Sequence, residues 1–233
     1  MSLAMSDRFV ESLARLQRYA EGHPPPTKGG PPLTVAISRQ AGARGVEIAR
    51  KVGERLGWPV YDHELLARIA EEKGLHQRLL ERLDERTTSW LEEMVTSFGS
   101  HEGGREGAYL KHLLEQLATL GKAGHCVIVG RGGAQVLPAE TTLRVRVVAP
   151  RGFRVAAVQK DQAISHAEAE KWVDRVDQER SRFIKVYFHK DANDPLGYDL
   201  AINSSRYAID DCAALICDAV RMLEAHPQPK APA

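Results

Sequence analysis

The chain has 233 residues, 43% hydrophobic and 27% charged, a composition that suits one sizeable core with room for a lid or insert. Its 32 Lys and Arg face 31 Asp and Glu, so no basic excess points to nucleic acid, and no apolar run reaches the roughly 18–20 residues that span a bilayer. Three cysteines (Cys126, Cys212 and Cys217) form no C-x-x-C pair, and their odd count argues against a disulfide framework, so a reducing cytoplasm is the expected location.

In chain order, residues 6–21 read as a helix, with Ser6 available as N-cap and Phe9, Leu13, Leu16 and Ala20 at helical spacing. The following HPPPTKGGPP (23–32) cannot continue it, because proline removes donors and favours extended backbone. Residues 1–32 are therefore an expected appendage and linker, its apolar stripe docking on the core, on a partner or on a second copy in a homodimer. From Leu33 onward short apolar runs alternate with helical patterns. The runs are LTVAI (33–37), WPVY (58–61), HCVIV (125–129), LRVRVVA (143–149) and YDLAI (198–202). Helical periodicity covers 46–56, 63–73, 79–98, 108–121, 151–160 and 166–188. A closing helix near 207–224 places Ile209, Ala213, Ile216, Val220 and Leu223 on one face. Ser165 and Glu168 form a capping box that starts the 166–188 helix. This alternation predicts an α/β fold with a mostly parallel sheet covered on both faces. The stretch 62–124, with the Gly-rich bend GSHEGGREG (99–107), reads as an inserted helical subdomain, and 225–233 as a flexible tail.

The segment VAISRQAGARGVEIARKV (35–52) has the strand–loop–helix order that aims backbone N–H groups and a helix N-terminus at an anion. Set against the phosphate-loop pattern G-x-x-x-x-G-K-[ST], Arg39 takes the first glycine position and Arg44 the second. Gly45 stands where the lysine belongs, and Glu47 falls near the hydroxyl residue that holds magnesium. Ligands in parallel α/β sheets bind beyond the carboxyl ends of the strands. Those ends carry Ser38-Arg39-Gln40, Tyr61-Asp62, Gly130-Arg131-Gly132-Gly133, Pro150-Arg151 and Asn203-Ser204-Ser205. Arg39 and Arg131, beside glycines, suit phosphate oxygens. The 166–188 helix adds Lys171, Arg175, Arg180, Arg182 and Lys185 among Asp174, Asp177 and Glu179. That pattern serves either a solvated, ion-paired face or a phosphate-clamping lid running into the turn-rich 189–199. No paired Cys/His spacing predicts zinc, and no G-x-S-x-G elbow predicts acyl transfer.

Five segments in order resemble the cytidylate kinase-like family, a branch of the P-loop nucleoside monophosphate kinases, over about 33–224. They are ISRQ-x-G-x-x-G-x-E-IA (37–49), W-P-V-Y-D-x-E-L-L (58–66), V-I-V-G-R-G-G (127–133), V-D-x-E-R-x-R-F (176–183) and D-P-x-x-Y-D-L-x-I-N-S (194–204). The resemblance implies a P-loop kinase-like three-layer sandwich with a five-stranded parallel sheet, a monophosphate-binding helical insert at 62–122 and a lid at 160–195. It implies ATP- and Mg²⁺-dependent phosphoryl transfer to a nucleoside monophosphate, CMP or dCMP first. Partners are then small-molecule nucleotides, not nucleic acid or a membrane. By position, Arg39, Gln40, Gly42, Ala43, Arg44, Gly45, Val46 and Glu47 would wrap the ATP phosphates. Arg154 would serve the same phosphates from the lid, and Asn203, Ser204 and Ser205 would lie near the adenine. Asp62, Arg131, Gly132 and Arg175 would face the acceptor, while Arg180 and Arg182 would close over the transferring group. Arg39 or Arg44 would replace the lysine, and Glu47 would either ligate Mg²⁺ or cap its helix. Ala43-Arg44-Gly45-Val46 departs from the Ser-Gly-Gly-Arg usual in relatives. Arg44 therefore either restores the missing charge or strains a turn, since φ > 0 disfavours a Cβ. Two other readings stay open: a nucleotide-binding regulatory module with little turnover, and a kinase for another small phosphate acceptor.

Overall fold

The computed structural model describes residues 32–62 and 105–225. The expected N-terminal helix and linker, the helices at 63–73 and 79–98, most of the Gly-rich bend and the tail beyond residue 225 lie outside the described residues. Five strands form one sheet: β1 (Thr34–Arg39), β2 (Val60–Tyr61), β3 (Cys126–Val129), β4 (Thr142–Val148) and β5 (Leu200–Asn203). Their order is β2-β3-β1-β4-β5, and every pairing is parallel. The helices are α1 (Gly45–Leu56), α2 (Arg105–Ala123), α3 (Gly133–Val136), α4 (Arg151–Gln162), α5 (His166–Phe188) and α6 (Ile209–Ala225).

The strands are short and β-branched because both faces are covered. On one face, Val35, Ile37, Val127, Val129, Val145 and Val147 pack with Ile48 and Val52 of α1 and with Ile216 and Val220 of α6. On the other, Ala36 and Ile128 pack with Leu114 and Leu117 of α2, Ala134 of α3, and Ile184 and Phe188 of α5. The result is the three-layer α/β sandwich expected from the strand–helix alternation. Cys126, Cys212 and Cys217 form no disulfide and are buried in these two layers. No helix among the described residues is long and apolar enough to cross a membrane.

A third, smaller apolar cluster positions the site. Val155 and Val158 of α4 and Ala169 and Val173 of α5 close over Ala41, which lies in the loop between β1 and α1. The α4–α5 hairpin is thereby docked on that loop. Its second helix starts where the capping box predicts: the Glu168 amide donates to Ser165 Oγ at 3.3 Å, and the Ser165 amide donates to Glu168 Oε2 at 2.9 Å. Two elements differ from the sequence reading. Residues 105–107, read as part of the bend, belong to α2, and the four-residue α3 follows β3 where no helix is predicted. A single helical turn is too short to show periodicity.

Candidate active site

The carboxyl ends of β1, β3 and β4 open into a cavity of about 720 Å³ roofed by α5. Ser38, Arg39 and Gln40 enter it from β1, Gly130, Arg131 and Gly132 from β3, Arg146 from β4, and Arg180 and Phe183 from α5. A second cavity of about 160 Å³ lies over the 39–47 loop, among Gly42, Arg44, Gly45, Glu47, Asp161 and Trp172. Arg39, Gln40 and Arg180 line both cavities, and two of the three are cations.

Arg39 is the central cation. Its side chain runs over Gly45 and reaches Gly130. A Cβ at position 45 would stand 2.5 Å from Arg39 Cβ, and one at position 130 would stand 2.0 Å from Arg39 Nη1. Both glycines are therefore required by the path of one guanidinium, and Gly130 also has φ +77°, the left-handed region. Burial, reinforced by Arg180 and Arg131, pushes the Arg39 guanidinium down to about 9, although Asp62 opposes the shift. Its Nε is buried without a hydrogen-bond partner. An unpaired buried donor costs on the order of 1–3 kcal/mol, so this group is held where it needs an acceptor. Arg131 and Arg180 are shifted down too, each mainly by burial. Arg180 also ties α5 to β1, its Nη1 donating to the Arg39 carbonyl at 3.2 Å.

Arg44 differs. It caps α1 at φ 60°, a left-handed conformation that costs a residue with a Cβ roughly 1–3 kcal/mol. Its Nη1 donates to Glu47 Oε1 at 3.1 Å and to Asp161 Oδ2 at 2.6 Å. Two carboxylates thus compensate the charge that Arg44 brings to the loop. Glu47, read as a metal ligand or a cap, is occupied by the same pair. No group of three or more His, Cys, Asp or Glu able to hold a metal occurs among the described residues. The cluster of arginines with an orphaned Nε fits phosphate oxygens.

The remaining expected residues fall into scaffold, strand-end and surface positions. Arg154 is buried at 7% exposure, and its Nε and Nη1 are bonded to protein. Nε bonds the Ala149 carbonyl at 2.9 Å, while Nη1 bonds the Ala41 carbonyl at 3.1 Å and Asp177 Oδ2 at 2.5 Å. Asp177 Oδ1 in turn accepts from the Ala41 amide at 2.7 Å. Arg154 thus braces the loop and lines neither cavity, and Asp177 holds one of the loop's amides. The Ala149 amide, just past β4, donates to Gln40 Oε1 at 3.1 Å, and Ser204 Oγ donates to the Ala43 carbonyl at 2.9 Å. Gly42 and Val46 line the smaller cavity, and Gly132 the larger. Asn203 Oδ1 accepts from the amide and the hydroxyl of Ser205, closing the end of β5. Asp62 lies 4.0 Å from Arg50. Arg175 and Arg182 are on the exposed side of α5, Arg175 paired with Glu179 at 3.5 Å, and neither lines the cavities.

Arg146 is the cavity residue that the strand-end rule missed. It lies inside a strand, and alternation reads it as an ordinary polar position. The available signal was its composition: a second arginine in the run LRVRVVA, inside a sheet buried on both faces.

A five-stranded parallel sheet in this order, with a strand–loop–helix crossing and guanidiniums gathered at its carboxyl edge, defines an α/β protein of the P-loop kinase-like class. The model of the cytidylate kinase-like family matches residues 34–206, and the chain belongs to that family. It is 27% identical over 199 residues to a protein named cytidylate kinase from Methanothrix thermoacetophila, covering 82% of this chain and 100% of that one. It is 29% identical over 196 residues to another so named from Pyrococcus horikoshii, covering 82% and 90%. Among solved structures, an uncharacterized protein from Eubacterium ventriosum superposes with a TM-score of 0.59 at 18% identity, covering 81% of this chain and 98% of that one. That likeness concerns the fold.

Proposed function

We propose that the protein transfers the γ-phosphoryl group of ATP to a nucleoside monophosphate, with CMP or dCMP first among acceptors. The observation that carries this reading is the junction of the two cavities at Arg39 and Arg180. Donor phosphates lie over the 39–47 loop, the acceptor lies in the larger cavity, and the transferring group crosses between them past two guanidiniums. Phosphoryl transfer needs little covalent chemistry from a protein: in-line placement and compensation of charge on the equatorial oxygens dominate. Arg39 takes the lysine's place at the β/γ-phosphates, Arg180 closes over the transferring group from α5, and Arg131 holds the acceptor phosphate. Phe183 and Ile184 give the cavity an apolar wall for a base. Mg²⁺ is the expected metal; bound together with the nucleotide, it would neutralise charge on the transferring phosphates. The names of the two relatives favour CMP as acceptor.

The test is a panel of CMP, dCMP, UMP, AMP and GMP with ATP and Mg²⁺, read as nucleoside diphosphate formed. CDP or dCDP as leading product supports the proposal; no product above background with any acceptor removes it. One observation favours a second reading, a nucleotide-binding module with little turnover. Asp177 already caps the Ala41 amide, so the hairpin lies docked on the loop. Calorimetry showing tight ATP binding in a protein that forms no product would select that reading.

A further inference from the structure

Arg144 and Arg146 are two residues apart on β4, both half-buried on the same face of the strand. Arg144 is neutralised: its Nη2 and Nε donate to the Asp199 carboxylate at 2.7 and 3.2 Å. Arg146 is held differently. Its Nη1 donates to Ser38 Oγ, its register neighbour on β1, at 2.7 Å, and its Nη2 donates to Asn193 Oδ1 at 3.1 Å. The Tyr198 ring lies 5.7 Å beneath the guanidinium, and Tyr198 is itself fixed through its hydroxyl to the Ala192 carbonyl at 2.8 Å. All of these partners are neutral. No carboxylate among the described residues lies within ion-pair distance of Arg146. A guanidinium has five donors, so donors remain after these two bonds, and Ser38, Arg146 and Asn193 all line the larger cavity. The rotamer is fixed while the charge is left uncompensated, the arrangement that a site for a ligand anion requires.

Resting on the proposed phosphoryl transfer, we infer that Arg146 is a second residue, beside Arg131, that binds the phosphate of the acceptor and makes the protein select a phosphate monoester over the unphosphorylated compound. Arg146 and Arg131 line the larger cavity only, not the loop cavity, which separates them from the donor side. Two cations, one on β4 and one in the turn after β3, match a dianion.

The test is calorimetric titration of wild type and Arg146→Gln with CMP, cytidine and inorganic phosphate, with folding of each variant checked by thermal melting. Loss of one charge-assisted contact should weaken CMP and inorganic phosphate binding about 10- to 100-fold while cytidine affinity stays within about twofold. If Arg146→Gln does not fold, Arg146→Lys keeps the charge without the fork and should show a smaller loss of the same pattern. Equal losses for CMP and cytidine, or no loss for either, overturn the inference. Wild type that binds inorganic phosphate but not CMP removes the nucleotide acceptor, and the phosphate arm then decides Arg146 alone. Wild type that binds neither overturns the inference as well.

Discussion

The two ends of the 39–47 loop carry arginines of opposite character. Arg39, at the end of β1, is sunk between Gly45 and Gly130, surrounded by other guanidiniums, and has an Nε with no acceptor. Arg44, at the start of α1, is clamped by Glu47 and Asp161 in a left-handed turn. A phosphate loop of ordinary pattern puts its cation on the first turn of the helix, where the dipole and backbone amides already favour an anion. Here that position is a glycine, and the space over it is filled by a side chain arriving from the strand. On the proposed function, the difference teaches that the missing lysine is a displaced cation: the positive charge that would meet phosphate sits at the strand end rather than on the helix, and the arginine left at the helix serves local structure.

Changes at these positions break or sharpen that contrast. Among changes to the glycines that line the path of Arg39, the largest effect comes from restoring the lysine. Gly45→Lys puts a Cβ 2.5 Å from Arg39 Cβ, so adding the residue that the usual pattern demands should lower turnover, by about 100-fold, as Arg39 is pushed off its path. Steady-state rates would show it, and a gain in rate would mean that Arg39 is dispensable. Next is Gly130→Ala, whose methyl group meets Arg39 Nη1 at a left-handed φ. A loss of roughly 10-fold in rate and a lower melting temperature by several degrees are expected.

A smaller, graded effect follows from pH. Arg39 titrates below an unfolded guanidinium, so above pH 9 the folded protein sheds a proton that the unfolded chain keeps. Stability therefore gains from this group as pH rises past 9, because the cost of burying its charge is relieved. Phosphate affinity moves the other way and should fall several-fold between pH 8 and 10, a drop that Arg39→Ala lacks. Titrations of wild type and variant with inorganic phosphate across that range check the sign. Smallest is Arg44→Gly. Relief of the left-handed strain, worth about 1 kcal/mol, offsets the loss of two partly exposed ion pairs, so the melting temperature should shift little. Turnover should stay within about threefold; a larger fall would show that Arg44 meets the phosphates.

Much of this arrangement was legible in the sequence because it is local. Strand and helix periods locate the sheet, the Ser165–Glu168 box marks the start of α5, and the strand-end rule points to Arg39 and Arg131. What stayed hidden depends on pairs far apart in the chain. Arg44 meets Asp161, 117 residues away, and the Ala41 amide meets Asp177, 136 residues away. Neither pairing leaves a periodic trace: Asp177 reads as one more charge on a helix face, and Arg44 as a spare cation in a glycine-rich loop. Arg154 shows the same limit. The family resemblance makes it a phosphate ligand, yet three bonds, to the loop, to Ala149 just past β4 and to α5, make it a brace. Arg146 escaped because the alternation that locates a strand also makes every second residue look interchangeable, and only its neutral partners distinguish it from Arg144.

The displaced-cation account is tested most directly by single-turnover transfer from ATP to CMP in Arg39→Ala and Arg44→Gly side by side. The account predicts that Arg39→Ala slows transfer by about 1,000-fold, or roughly 4 kcal/mol of transition-state stabilisation, while Arg44→Gly stays near wild type. Arg44→Gly proving the more damaging of the two, or Arg39→Ala transferring at close to the wild-type rate, would contradict it.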